Sequence, residues 1–137
     1  MTTAEQTLAD RLGLTAGQLV RETGWDEDSD DRLRAAVEEW TGDALADEAT
    51  KGTADLVLLW WREQDGDLFD GLMDARGDLA PGGFIWLLTP RPGRNGHMDP
   101  ADITESTTSA GLSAHPPLPL SPAWSATRLE VRGETAA

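Results

Sequence analysis

Two almost uninterrupted apolar runs, Asp55-Leu-Val-Leu-Leu-Trp-Trp61 and Pro81-Gly-Gly-Phe-Ile-Trp-Leu-Leu88, flank one amphipathic segment in the middle of the chain. Strands covered on both faces read as such continuous runs, whereas strands with one wet face alternate. The pattern therefore predicts a strand over 56–61, a helix after the Asp65-Gly66-Asp67 turn, and a second strand over 84–88. Leu68, Phe69, Leu72, Met73 and Leu79 form the expected buried stripe of that helix, and Pro81-Gly82-Gly83 is read as its break. The 34 residues from Asp55 to Leu88 suit a right-handed strand–helix–strand crossover. Successive side chains on a strand alternate faces, so Trp60 and Trp61 are expected on opposite sides, both in the core.

Weaker periodicity extends the picture both ways. Thr3–Leu12 reads as a first helix with Thr3 as its cap and Gln6 three residues on. Gln18–Thr23 reads as a strand ended by Gly24. Leu33, Ala36, Val37 and Trp40 stand at helical spacing after an acidic first turn. Ala44–Glu48 is a candidate edge strand and 50–53 a loop. Downstream, 89–97 reads as a Pro- and Gly-rich loop and Pro100–Leu112 as a helix with Gly111 near its end. The prolines at 116, 117, 119 and 122 exclude a central strand over 115–122. Trp124–Val131 is expected to be the last strand. The expectation is one α/β domain over 1–132, in three layers with a mostly parallel sheet, and a frayed tail over 133–137.

Composition then narrows the classes of function. The 137 residues carry a net charge of −14. Such a surface repels phosphate backbones and anionic membranes, so neither nucleic acid nor a membrane is an expected partner. There are no cysteines, which excludes disulfides, thiolate nucleophiles and zinc–thiolate sites. The start, Met1-Thr-Thr-Ala-Glu-Gln6, lacks a basic leader and an apolar core, and no apolar run approaches the roughly 20 residues of a membrane span. The cytoplasm is the expected location. Ten Arg against the single Lys51 suit a GC-rich genome.

Known chemical motifs fail on their spacing. Asp26–Asp31 resembles a calcium loop, but its sixth and twelfth positions are Asp31 and Val37 where Gly and Glu are required. His97 and His115 stand 18 residues apart without a ligand pattern, so no metal is expected. Neither a nucleophile elbow nor a phosphate loop is present.

The run Leu-Ala-Pro-Gly-Gly-Phe-Ile-Trp-Leu-Leu (79–88), a loop, a helix ending Ala-Gly-Leu and a terminal strand together resemble the second half of a class I methyltransferase domain, over Ala54–Val131. The resemblance implies a Rossmann-like fold, here a truncated one. Those enzymes hold S-adenosylmethionine on a Gly-rich loop after the first strand. The matching stretch here, Glu22-Thr-Gly-Trp-Asp26, keeps one glycine and puts bulky Trp25 beside it. Asp47 or Glu48 is the candidate for the ribose-holding acid. The whole chain is also similar to a family of small acidic proteins of high-GC bacteria, known as a domain of unknown function. That similarity rests on 13–18 (GLTAGQ), 23–28 (TGWDED), 58–62 (LLWWR) and 85–90 (IWLLTP).

In a parallel α/β sheet, ligands bind outside the carboxyl ends of the strands. That rim should hold Gly24, Trp25 and Asp26, then Arg62, Glu63 and Asp65, then Thr89, Arg91 and Arg94. Gly24, Trp25, Asp26, Arg62, Asp65, Arg91 and Arg94 are the candidate ligand-binding residues; the plain alternative is a solvated loop rim. Trp25 and Trp124 lie outside the apolar runs and are expected to be exposed, partner-binding aromatics. The reading is a non-catalytic binding or regulatory module without a cofactor, whose partner is a protein or a small ligand. The alternative is a minimal enzyme that binds S-adenosylmethionine or a nucleotide.

Overall fold

The structure is a computed structural model, and it describes residues 20–24, 54–119 and 123–131. Strand β1 is Val20–Thr23 and β2 is Ala54–Trp60; a 3-10 turn at Glu63–Asp65 leads to helix α1, Leu68–Gly77. Strand β3 (Leu79–Pro90), helix α2 (Pro100–Ser109), β4 (Leu112–Ala114), β5 (Leu118–Pro119) and β6 (Trp124–Val131) follow. The sheet order is β1-β2-β3-β6-β4, with β5 also on β6. The expected helices at 3–12 and 33–40, the strand at 44–48, the loop at 50–53 and the tail lie outside the described residues.

The apolar runs form the centre of the sheet as expected. Leu56, Val57, Leu58, Leu59 and Trp60 are all fully buried. Alternation splits them between two cores. Leu56, Leu58 and Trp60 join Val20, Phe84, Trp86, Leu88, Trp124 and Ala126 on one face. Val57 and Leu59 join Leu68, Leu72, Ala75, Ile85, Leu87, Met98, Leu112 and Leu129 on the other, beneath α1 and α2. Trp61 packs against this second core, so the two neighbouring indoles do face opposite ways. Each Leu buried this way contributes about 1.5–3 kcal/mol relative to an exposed one.

The sheet is mixed rather than mostly parallel. β1–β2 and β2–β3 are parallel, while β6 lies antiparallel to β3, β4 and β5. A buried apolar strand has no polarity in its composition, so the direction of β6 is set by its connection. The chain turns at α2, runs down β4 and β5, and returns between β3 and β4.

Helix α1 starts where the acidic turn predicts: the Asp67 carboxylate accepts from the Phe69 amide at 3.0 Å. It ends earlier than expected. Leu79 opens β3 opposite Ala54, and Met73 is 41% exposed instead of buried. The Pro81-Gly82-Gly83 triplet lies inside β3 rather than breaking the helix. Ala54 faces Leu79 and Leu56 faces Phe84, so five steps of β3 span two of β2. Gly83 permits this bulge, because a Cβ there would lie 2.9 Å from the Asp55 carbonyl oxygen. Strand β3 also runs on to Pro90, taking Thr89 out of the expected loop.

Helix α2 is capped by Asp99, which accepts from the Ala101 amide at 3.0 Å, and has Pro100 in its first turn. It stops at Ser109, and Leu112 starts the short strand β4 that the sequence pattern had merged with the helix. Among its described residues, the proline-rich stretch contributes the two-residue strand β5 against β6.

Candidate functional site

Three segments meet at the carboxyl ends of β1 and β2. Glu22 and Trp60 are register-shifted neighbours on the same face, and the Trp60 indole N–H donates to the Glu22 carboxylate at 3.1 Å. Both side chains are buried, so this bond replaces water for each of them. The Trp60 ring stands edge-on to Trp124 of β6, with centroids 4.9 Å apart and planes at 84°. Trp124 is therefore a core residue, 3% exposed, and not the open aromatic its isolated position in the sequence suggested.

One residue beyond Trp61, the chain leaves β2 and Arg62 turns back over this aromatic wall. Its guanidinium carbon lies 5.2 Å from the Trp124 ring centroid, within cation–π range. Its Nη1 donates to the Gly24 carbonyl at 2.9 Å and to the Asp65 carboxylate at 3.3 Å. Asp65 also accepts from the Arg62 backbone amide at 2.9 Å, closing the 3-10 turn upon itself. The Arg62 side chain is only 4% exposed, against 32% for Asp65. A buried guanidinium needs this set of acceptors, since an unpaired charge at such depth would cost several kcal/mol.

Gly24 has φ of +80°, and a Cβ there would lie 2.3 Å from the Trp60 carbonyl oxygen. Only glycine lets the turn after β1 press so closely on β2. The turn and the end of β2 are thus joined twice, by backbone packing and by Arg62.

Of the candidate rim residues, the structure brings together Gly24, Arg62 and Asp65. Trp25 and Asp26, like Asp47 and Glu48, lie outside the described residues. Arg91 and Arg94 sit on the neighbouring turn after β3. The Arg91 amide donates to the Ala123 carbonyl at 2.9 Å, the Arg94 amide to the Arg91 carbonyl at 3.0 Å, and Arg94 is exposed. The two rim turns are tied to each other by the Glu63 amide, which donates to the Gly96 carbonyl at 2.9 Å. His97 packs under the same turn, with Nδ1 2.9 Å from the Pro90 carbonyl, where it donates. Sequence reasoning named Glu22 only as the start of the matched loop stretch, not among the candidate residues, and misplaced Trp124. In Val20-Arg21-Glu22-Thr23 three of the four residues are polar, so nothing in the strand's own pattern marked Glu22 for burial, and nothing beside Trp124 marked it for the core.

Each of these contacts holds a side chain or a turn in place. Among the described residues no group of three or more His, Asp or Glu side chains could hold a metal ion. No described helix is long and apolar enough to cross a membrane. The residues at the Gly24 turn meet an adenosylmethionine-type cofactor poorly: the Gly24 carbonyl is already taken by Arg62, and the turn lies against Trp60 without a gap.

The fold is that of the class I methyltransferases. The CcbJ methyltransferase of Streptomyces caelestis superposes with a TM-score of 0.61 at 11% identity, over 93% of this chain and 89% of that one. Human N-acetylserotonin methyltransferase, solved in complex with SAM, gives a TM-score of 0.65 at 11% identity, over 94% of this chain and 52% of that one. At such identities the likeness is one of fold. In sequence, an uncharacterized protein of Mycobacterium tuberculosis (Rv2239c) is 52% identical over 121 residues, 88% of this chain and 76% of that protein. Residues 9–133 match the model of a family described as a protein of unknown function, DUF3052, and the chain belongs to that family.

Proposed function

We propose that the protein is a non-catalytic binding or regulatory module, a methyltransferase-like scaffold whose ligand crevice is closed by its own side chains. One observation carries the reading. The buried Arg62 guanidinium bridges from the end of β2 to the Gly24 carbonyl at the end of β1, across the place where open α/β sheets take their ligands. A cofactor entering there would have to displace a paired guanidinium from Gly24, Asp65 and the Trp124 face. The partner on this reading is a protein or a small ligand met in the cytoplasm, and the net charge of −14 disfavours nucleic acid and anionic membranes.

A second reading, a minimal enzyme that binds S-adenosylmethionine or a nucleotide, draws on one specific feature. The glycine with positive φ is kept at the end of β1, where the methyltransferase-like sequence pattern places its cofactor loop.

A titration with S-adenosylmethionine and S-adenosylhomocysteine separates the two, read by tryptophan fluorescence and thermal shift together. The module predicts no saturable response at millimolar ligand. Saturable binding, with stabilisation that grows with ligand concentration as linkage requires, would overturn it. Arg62→Ala adds a second arm: a response gained only in that variant supports closure by the guanidinium.

A further inference from the structure

The outermost strand of the sheet, β4, borders an open groove. The groove, about 550 Å³, runs between α2 and β4, with Thr104, Thr107 and Thr108 on one wall and Leu112, Ala114 and His115 on the other. That volume falls within the roughly 300–1,000 Å³ of ordinary ligand sites.

The main chain of β4 gives the groove its chemistry. The His115 amide donates to the Arg128 carbonyl at 2.9 Å, and β4 pairs with β6 from Leu112 to Ala114. Backbone groups of an antiparallel strand alternate in direction, so the Ala114 N–H and C=O point away from β6. Among the described residues β4 has no strand on that side. Ala114 is exposed and is itself part of the groove wall. The Thr104 and Thr107 hydroxyls spend their protons inside α2, on the Pro100 and Ile103 carbonyls at 3.0 and 2.7 Å. His115 Nε2 is held by Glu130 at 2.7 Å. What the groove leaves open is therefore backbone, beside the buried Leu112 side chain.

Open strand edges are commonly blunted. Pro116 and Pro117 do so here, since neither carries an N–H, and they confine pairing to Leu112–Ala114. Along that stretch α2 stands off and leaves a slot instead of covering the edge.

We infer that the groove between α2 and β4 takes an extended segment of a partner protein, which adds to β4 as a further strand through the Ala114 N–H and C=O and sets a β-branched side chain against Leu112 and the threonines. This inference names the partner class of the module and rests on that reading. Charge decides the character of the segment. Glu105 is exposed and stands three residues before Thr108, hence beside the groove on α2, and the chain carries −14. A neutral or basic segment is favoured over an acidic one, and over a second copy of this chain.

The test reads amide hydrogen exchange of the full chain by NMR. In the free chain the Ala114 amide exchanges fast and the His115 amide, bonded to Arg128, exchanges slowly. The probe is a synthetic peptide of about seven residues, a strand's length, alternating Val and Thr between terminal lysines. Its comparison is the same peptide N-methylated at the central amides, which keeps charge and side chains but cannot pair as a strand.

The inference expects saturable binding, a Ala114 amide that exchanges at least about tenfold more slowly when bound, and binding about tenfold weaker for the N-methylated peptide. Ala114→Pro removes the donor that faces the groove, at the edge position where a strand tolerates proline. It should weaken the plain peptide by about tenfold, while a protected His115 amide checks that the strand is kept. Equal binding of the two peptides, or no loss in Ala114→Pro, would reduce the effect to charge attraction and overturn the inference. No saturable binding at millimolar peptide would overturn it as well. Slow exchange of the Ala114 amide in the free chain would do the same, in favour of a second copy if the protection rises with protein concentration. The adenosylmethionine titration reads the β1–β2 crevice, with β3 and β6 between it and β4, so either result can fail without the other.

Discussion

At Gly24 a backbone angle and a packing distance make the same demand. The φ of +80° suits glycine, and the Cβ of any other residue would run into the Trp60 carbonyl oxygen. Gly24→Ala should therefore cost about 2–4 kcal/mol, the sum of strain and displacement of β1 from β2. Urea unfolding with an unchanged slope measures it, and a loss below about 0.5 kcal/mol would mean that the turn yields freely. The glycine itself was legible, as the end of a short strand. Its close approach to β2 was not, because the atom it meets belongs to a residue 36 positions on. Arg62 was likewise named as a rim residue, with a solvated loop as the plain alternative. What turns it inward are the Gly24 carbonyl and the Trp124 ring, both distant in the chain. Trp124 itself was misjudged for a related reason: between the small residues Ala123 and Ser125 it stands outside any large apolar run, and what buries it is Trp60, distant in the chain.

Among the elements, those with both a periodic pattern and a cap were readable. Asp67 gives the clearest case, since its carboxylate satisfies one of the unpaired amides at the start of α1. Asp67→Ala should cost about 1 kcal/mol, while Asp67→Asn should recover most of that, which thermal unfolding of the pair will show. If Asn gives no recovery, charge at the helix terminus outweighs the hydrogen bond. Strand β4 escaped notice because three residues, only Leu112 of them buried, carry no period. The Pro-Gly-Gly bulge was mistaken for a break because the same residues serve both purposes. The direction of β6 had no signal at all: apolar composition reports burial of a strand and is blind to its polarity.

For the molecule as a whole, the acidic balance sets the response to pH, and one pair contributes with a definite sign. Glu130 accepts from His115 at 2.7 Å and pairs with Arg128 at 3.0 Å, and Arg128 in turn covers the Phe84 ring. The hydrogen bond from His115, with a smaller contribution from Arg128, holds the Glu130 carboxyl below its ordinary value of 4.5 against the opposing pull of burial. A lowered carboxyl stabilises the fold above its unfolded value. That stability is lost as pH falls through the folded one. The melting temperature should thus drop on acidification below about pH 4.5, and Glu130→Gln should flatten that drop. An unchanged slope in the variant would leave the acid limb to the other carboxylates.

The indole–guanidinium cluster at the rim also has a temporal meaning. Val20 pairs with Leu56 and Trp124 with Pro90, so Glu22, Gly24 and Trp124 reach Trp60 and Arg62 only when two separate chain closures have both been made. The cluster should therefore be absent from the folding transition state, with φ-values near zero for Glu22 and Trp124. A chain caught with one closure made would still expose the crevice that the finished protein keeps shut.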